Sequence, residues 1–212
     1  EGYDSDPKVT RKDLAEEAGV RIVVTHMPYN RMVNDFEALV KEHKIWDCTY
    51  VGLGSMPSEY PRSYEGFAGF ARECSGIARK FADEGLKFVY HNHSFEFEKF
   101  NGKTGMEILF NESDPEVFGF EIDTYWVQSG GADPVEWIKK MNGRLEVIHL
   151  KDMAIKEGKQ VFAEIGEGNL NWPKILSACN NIGVKWYCVE QDTCPGDPFE
   201  SLAISFRNLK VM

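Results

Sequence analysis

Six short apolar runs alternate with longer amphipathic stretches along this chain, and that alternation constrains its fold more than any other feature. The runs lie at residues 21–26, 48–53, 87–91, 118–123, 145–150 and 185–190. They are β-branched or aromatic in character and too short for helices, so they read as strands. Between them the segments 35–43, 64–84, 105–109, 134–141 and 172–180 carry helical spacing of apolar residues. Gly19, Gly85 and Gly183 each stand just before a run, where a glycine can end a helix in the left-handed conformation. Strand, helix and strand in repeated succession imply right-handed crossovers and a parallel sheet. No linker, low-complexity tract or shift of composition divides residues 1–212, which predicts a single α/β domain.

Two parallel architectures compete. An open doubly wound sheet would carry a glycine-rich phosphate fingerprint after a strand, and none of the six runs is followed by one. A (β/α)₈ barrel instead places its reactive residues at the carboxyl ends of several strands. Here those ends read His91-Asn92-His93, Glu121-Ile122-Asp123, His149-Leu150-Lys151-Asp152 and Glu190-Gln191-Asp192. Side chains alternate across a strand, so His91 and His93 share a face, as do Glu121 and Asp123. Phe118, Phe120 and Ile122 then face the outer helices, while Val147 and His149 point inward with Glu121 and Asp123.

Burying inward carboxylates without compensation costs several kcal/mol each. A single strand-end histidine is usually a hydrogen-bonded core residue, and a single inward carboxylate is usually paired with a cation such as Lys151 or Arg144. Four strand ends that each offer a metal-type ligand are harder to explain that way. Mixed imidazole and carboxylate donors without thiolate suit Mn²⁺, Mg²⁺, Zn²⁺, Co²⁺ or Fe²⁺ without choosing among them. The formal net charge of −10 would repel a phosphate backbone and argues against a nucleic-acid binder. No apolar run approaches the roughly 20 residues of a membrane span. The 5 cysteines are widely spaced and lack a C-x-x-C, which argues against a disulfide framework or thiolate zinc knot. That pattern favours a reducing compartment such as the cytoplasm, and localisation is otherwise open.

Five segments carry a family resemblance: YHNHSFEFEKF (90–100), FEIDTYWVQSGGADP (120–134), VIHLKDM (147–153), EIGEGNLNWPKIL (164–176) and WYCVEQD (186–192). In this order they resemble the sugar phosphate isomerase/epimerase family, the xylose isomerase-like TIM barrels, and the resemblance spans essentially the whole chain. It implies a barrel whose divalent metal is bound from four strand ends, with Asp123, His149 and Glu190 at three of the usual ligand positions. The first position, often glutamate in relatives, holds His91 here, which places the two-glutamate epimerase mechanism in doubt. Where many relatives carry a histidine after the aspartate, this chain has Tyr125-Trp126, and Trp126 is expected against a sugar ring.

The resemblance also implies that the six runs are barrel strands three to eight, with Glu1-Gly2-Tyr3 at the end of the second. The expected function is a metal-dependent isomerase or epimerase of a sugar, sugar phosphate or cyclitol, working through an enediolate-type proton transfer. Glu190 and His93 are the candidate proton carriers, and Lys151 a candidate for binding a substrate oxygen or phosphate. Glu96, Glu121 and Glu167 join Trp126 as candidate substrate contacts, Glu96 by orienting His93 and Glu167 on a glycine loop able to close over the site. A related lyase or dehydratase is the nearest alternative. An endonuclease IV-like nuclease and a non-catalytic sugar-binding barrel are the others. The expected partner is a small carbohydrate, not nucleic acid or a membrane, and a homo-oligomer is left open.

Overall fold

All six apolar runs become strands of one parallel sheet. The computed structural model describes residues 11–212, so the expectation for Glu1, Gly2 and Tyr3 falls outside the described residues. After α1 (Arg11–Glu17) come β1 (Val24–His26), α2 (Tyr29–Asn34), α3 (Phe36–Trp46) and β2 (Tyr50–Leu53). The long helix α4 (Tyr64–Asp83) leads into β3 (Lys87–His91). A small hairpin, β4 (Lys99–Phe100) and β5 (Lys103–Thr104), precedes α5 (Gly105–Glu112) and β6 (Phe118–Asp123). Helices α6 (Thr124–Ser129) and α7 (Pro134–Lys140) then lead to β7 (Leu145–Leu150). A second hairpin, β8 (Asp152–Lys156) and β9 (Lys159–Ala163), is followed by α8 (Trp172–Ile182), β10 (Trp186–Val189) and α9 (Pro198–Leu209).

The sheet order is β1-β2-β3-β6-β7-β10, and every neighbouring pair is parallel. Each new strand joins the same side of its predecessor, which is how a (β/α) barrel is wound. The result is a curled, partial TIM barrel whose edges, among the described residues, are β1 and β10.

The helices form where their sequences say they should. In α4 the Ser63 hydroxyl accepts from Gly66 N at 3.1 Å, an N-cap for the first turn. Phe67, Phe70, Ala71, Cys74, Ala78 and Phe81 then recur on one buried face. Thr104 and Glu107 close a reciprocal capping box on α5. Gly183 ends α8 at φ 78°, as its place before the last run predicts.

Alternation sorts the sheet into two faces. Phe88, Tyr90, Phe118, Phe120, Ile122 and Ile148 pack against the helices in the main core. Tyr50, Val89 and Val147 form a smaller cluster on the inner face, with Val24, Trp186 and Cys188 against it. The expected parity holds: the phenylalanines of β6 face outward and Glu121 faces inward, fully buried. Both hairpins follow strands, so they stand at the carboxyl-end rim, where the site is built. No helix among the described residues is long and apolar enough to cross a membrane.

Candidate metal centre

Parallel register brings the strand ends level: His91 lies beside Glu121, Asp123 beside His149, and Glu190 N donates to Leu150 O at 3.0 Å. One ligand-type atom from each of His91, Asp123, His149 and Glu190 falls within 4.8 Å of the others. His91 Nε2, Asp123 Oδ2, His149 Nδ1 and Glu190 Oε2 are all buried and lack a hydrogen-bond partner. Buried polar atoms are almost always satisfied, so four bare ones aimed at a common point call for something positive between them.

The remaining atoms of these residues hold that aim. His91 Nδ1 donates to Gly54 O at 3.3 Å, which leaves Nε2 as the bare nitrogen. Asp123 Oδ1 accepts from Trp126 N at 3.0 Å as the N-cap of α6, so Oδ2 is free to face the centre. Asn92 Oδ1 accepts from Asp123 N at 3.0 Å and fixes the backbone there. His149 Nδ1 and Glu190 Oε2 are in ion-pair contact but out of hydrogen-bond alignment. His149 Nε2 stands 2.9 Å from Glu121 Oε1.

Electrostatics tell the same story. Burial alone would lower His149, yet its close contacts with the charged Glu121 and Glu190 hold it at about 10. Burial alone would raise Glu121, but His149 and His26 hold it at about 2. Glu190 is likewise driven well below the ordinary carboxylate range, His149 and Lys151 outweighing its burial. In the metal-free chain a protonated His149 is thus the cation that balances Glu121 and Glu190, a place that an ion at Nδ1 would take over. Two imidazoles and two carboxylates fit a hard or borderline divalent ion.

Lys151 sits beside this set, 1% exposed. Its Nζ lies 2.8 Å from Asp192 Oδ2, 3.4 Å from Glu190 Oε1 and 3.6 Å from Asp123 Oδ2. Burial lowers its pKa, but the three carboxylates more than offset this and raise it above the ordinary value. It packs under Trp126 and Phe162, at 5.3 Å and 5.0 Å from the ring centres. Its partners are therefore Asp123, Glu190 and Asp192. Asp152 is wholly occupied elsewhere, accepting from Met153 N, Gly166 N, Gly168 N, Leu170 N and Trp172 Nε1. Arg144, the other cation expected for an inward carboxylate, binds Phe118 O, Phe110 O and Ser113 Oγ.

The other candidates fall in different places. His93 lies 5.0 Å from the His91 ring and 5.3 Å from Trp126, and burial with the neighbouring His91 lowers it to about 4. Trp126 and Phe162 line one wall, with Tyr125 4.4 Å from Phe162. Glu96 is fully buried, accepting from Tyr90 Oη at 2.6 Å and His93 N at 2.9 Å. It steadies the His93 backbone rather than its ring and has no exposed atom for a substrate. Glu121 is equally inaccessible. Glu167 accepts from Asn208 of α9 at 2.9 Å, and its loop is pinned through Gly166 and Gly168 to Asp152. A freely closing flap does not fit those ties.

Sequence reasoning missed His26 and Asp192. His26 ends the first run as His91 ends the third, and its Nε2 donates to Glu121 Oε2 at 2.6 Å. Asp192 stands two residues beyond Glu190, in the loop that follows β10. The signal for His26 was present in the strand-end pattern.

The model of the "Xylose isomerase-like TIM barrel" family matches residues 2–208. An inosose dehydratase of Bacillus cereus (strain AH820) is 28% identical over 136 residues, covering 56% of this chain and 45% of that protein. An inosose dehydratase of Clostridium botulinum (strain Alaska E43 / Type E3) is 30% identical over 139 residues, with the same coverage of 56% and 45%. The chain thus spans about half the length of the curated relatives it matches. A crystal structure of a sugar phosphate isomerase/epimerase from Parabacteroides distasonis ATCC 8503 superposes with a TM-score of 0.81 at 22% identity. It covers 99% of this chain and 83% of that one. That likeness shows the shared fold.

Proposed function

The chain belongs to the xylose isomerase-like TIM barrel family, and on that premise we propose that it is a metal-dependent enzyme moving a proton on the carbon beside a carbonyl of a sugar or cyclitol. The observation that carries this reading is the convergence of four bare, buried atoms from four strand ends. His91, Asp123, His149 and Glu190 would hold the ion, which when bound supplies a Lewis acid for a carbonyl and its neighbouring hydroxyl.

The chain's own residues supply the rest. Glu190 keeps Oε1 beside Lys151 and ionised, a carboxylate oxygen left over to receive the proton from carbon. Lys151, buried and charged, is placed to donate to a substrate oxygen as negative charge develops there. His93 holds an unpartnered Nδ1 and stays uncharged at neutral pH, a partner able to take up or return a proton. Trp126 and Phe162 offer an apolar wall for the C–H face of a ring and narrow the access of water.

Two fates follow proton removal. Returning the proton at another position or face gives an isomerase or epimerase. Losing a hydroxyl from the next carbon gives a dehydratase. The second reading is supported by two observations: His91 stands where a second glutamate would serve as the other base, and the curated relatives are inosose dehydratases.

The test is incubation of metal-loaded protein with keto sugars and keto-cyclitols in D₂O, followed by NMR and ultraviolet absorption. Deuterium in recovered sugar supports isomerisation, and an unsaturated ketone supports dehydration. Glu190→Gln is expected to abolish both. Turnover that survives Glu190→Gln would remove Glu190 as the base, and no exchange with any substrate of either class would overturn the reading.

A further inference from the structure

Glu121 has no exposed surface, yet it is not among the four residues whose bare atoms meet at the centre. Its Oε1 stands in ion-pair contact 2.9 Å from His149 Nε2, short of hydrogen-bond alignment and with no other partner, and its Oε2 accepts from His26 Nε2 at 2.6 Å. The His26 ring also lies nearly parallel to that of His149, 5.5 Å away at 19°. His26, Glu121 and His149 are close enough to form a second ligand group of their own. In that group, however, each imidazole already faces a carboxylate oxygen. His149 would also have to lose both ring protons to ligate through Nε2 as well as Nδ1. The three residues therefore make a brace, not a second ion site.

We propose that Glu121 is a positioning residue for the metal centre, holding the Nε2 proton of His149 so that its bare Nδ1 points at the ion, with His26 fixing the other carboxylate oxygen. This rests on the metal reading of the site. The physical reason is that an imidazole can present either nitrogen, and a flip of the His149 ring exchanges them. A carboxylate behind the ring makes one orientation and one tautomer much the better, and raises the basicity of the nitrogen that faces the metal. Glu121 can do this because it lies on β6, beside β7, two residues before Asp123 and therefore on the same inward face. His26 reaches it from β1, at the far edge of the sheet, and so ties the edge strand to the centre.

Co²⁺ binding to the metal-free chain, followed by calorimetry and visible absorption, tests the proposal. Glu121→Met, of similar length and uncharged, is expected to weaken Co²⁺ binding about 10- to 100-fold, and Glu121→Gln, which keeps one acceptor, to recover part of the loss. In Zn²⁺-loaded protein with ¹⁵N-labelled histidine, wild-type His149 is expected to carry the metal on Nδ1 and a slowly exchanging proton on Nε2. That proton should exchange faster in both variants. A role in packing alone would leave the nitrogen assignment and the order of affinities unchanged. Equal affinity in all three proteins, or metal on Nε2 of wild-type His149, overturns the positioning role. Wild-type protein that binds neither Co²⁺ nor Zn²⁺ overturns the metal reading, and this proposal with it. Should Glu121→Met fail to fold, the Glu121→Gln comparison and the wild-type nitrogen assignment still decide.

Discussion

Glu96 and Asp123 are both fully buried carboxylates, and they meet that burden in opposite ways. Glu96 receives only neutral donors, from Tyr90 and the backbone N–H of His93, and burial pushes it up to about 7. Its folded-state pKa lies above the ordinary 4.5, so the folded protein binds the extra proton between those values. Stability should therefore fall as pH rises from about 4.5 to about 7, by an amount of order 3 kcal/mol, and level off above. Urea unfolding of wild type and Glu96→Gln from pH 5 to 8 checks this, since the variant should lack that slope. Asp123 faces His91, Lys151 and the bare atoms around it, where a cation offsets its charge. Asp123→Asn combined with His149→Ala is expected to abolish stoichiometric metal binding, measured by elemental analysis after dialysis. Asparagine can still cap α6, so the fold is spared. Metal retained at full stoichiometry would show that the ligands lie elsewhere. The inward, strand-end position of the four proposed ligands was legible from alternation, while their choice as ligands came from the family resemblance. The partners of Lys151 and the burial of Glu96 were not, because both depend on which loops close over the rim.

Helix α4 carries three glycines, and their surroundings predict opposite effects of the same substitution. A Cβ on Gly66 would lie 1.9 Å from Pro61 O, a backbone atom that cannot swing aside. Gly66→Ala should cost about 3 kcal/mol, the upper end for overpacking. Gly69 and Gly76 are exposed and have nothing within 4 Å of the added atom. Alanine at either should stabilise the protein by about 0.5–1 kcal/mol through helix propensity. Thermal unfolding of the three single variants settles the contrast, and a stable Gly66→Ala would refute the tight entry into α4. At this scale the six strands were legible because a run of β-branched and aromatic residues flanked by glycine leaves few alternatives. The β8–β9 hairpin escaped because it belongs to no barrel repeat. Its turn, Glu157-Gly158 with φ 52° and 75°, is a two-residue type I′ signal between apolar Ile155 and Val161 that the strand–helix pattern overrode.

At the scale of the molecule the sheet formed by the described residues has two edges, and apolar surface collects near both. Val20, next to β1, is 60% exposed, and Ile45 on α3 is 46% exposed. Beyond β10, α9 turns Phe199 (81%), Leu202 (49%) and Phe206 (62%) to solvent, spaced three and four residues apart on one helical face. A closed barrel has no edge strands and covers each helix face with its neighbours. Among the described residues β1 and β10 keep unpaired backbone groups beside these side chains, and such surface drives association. The net charge of −10 opposes that, but only at low salt, where repulsion reaches beyond about 10 Å. The chain of 212 residues is therefore expected to associate increasingly with concentration and with salt, measured by sedimentation velocity. Phe199→Ser with Phe206→Ser should reduce that association at every salt concentration while leaving metal binding intact, because α9 contributes none of the four ligand atoms. A wild-type chain that stays monomeric at high salt would mean that these flanks are covered within the monomer.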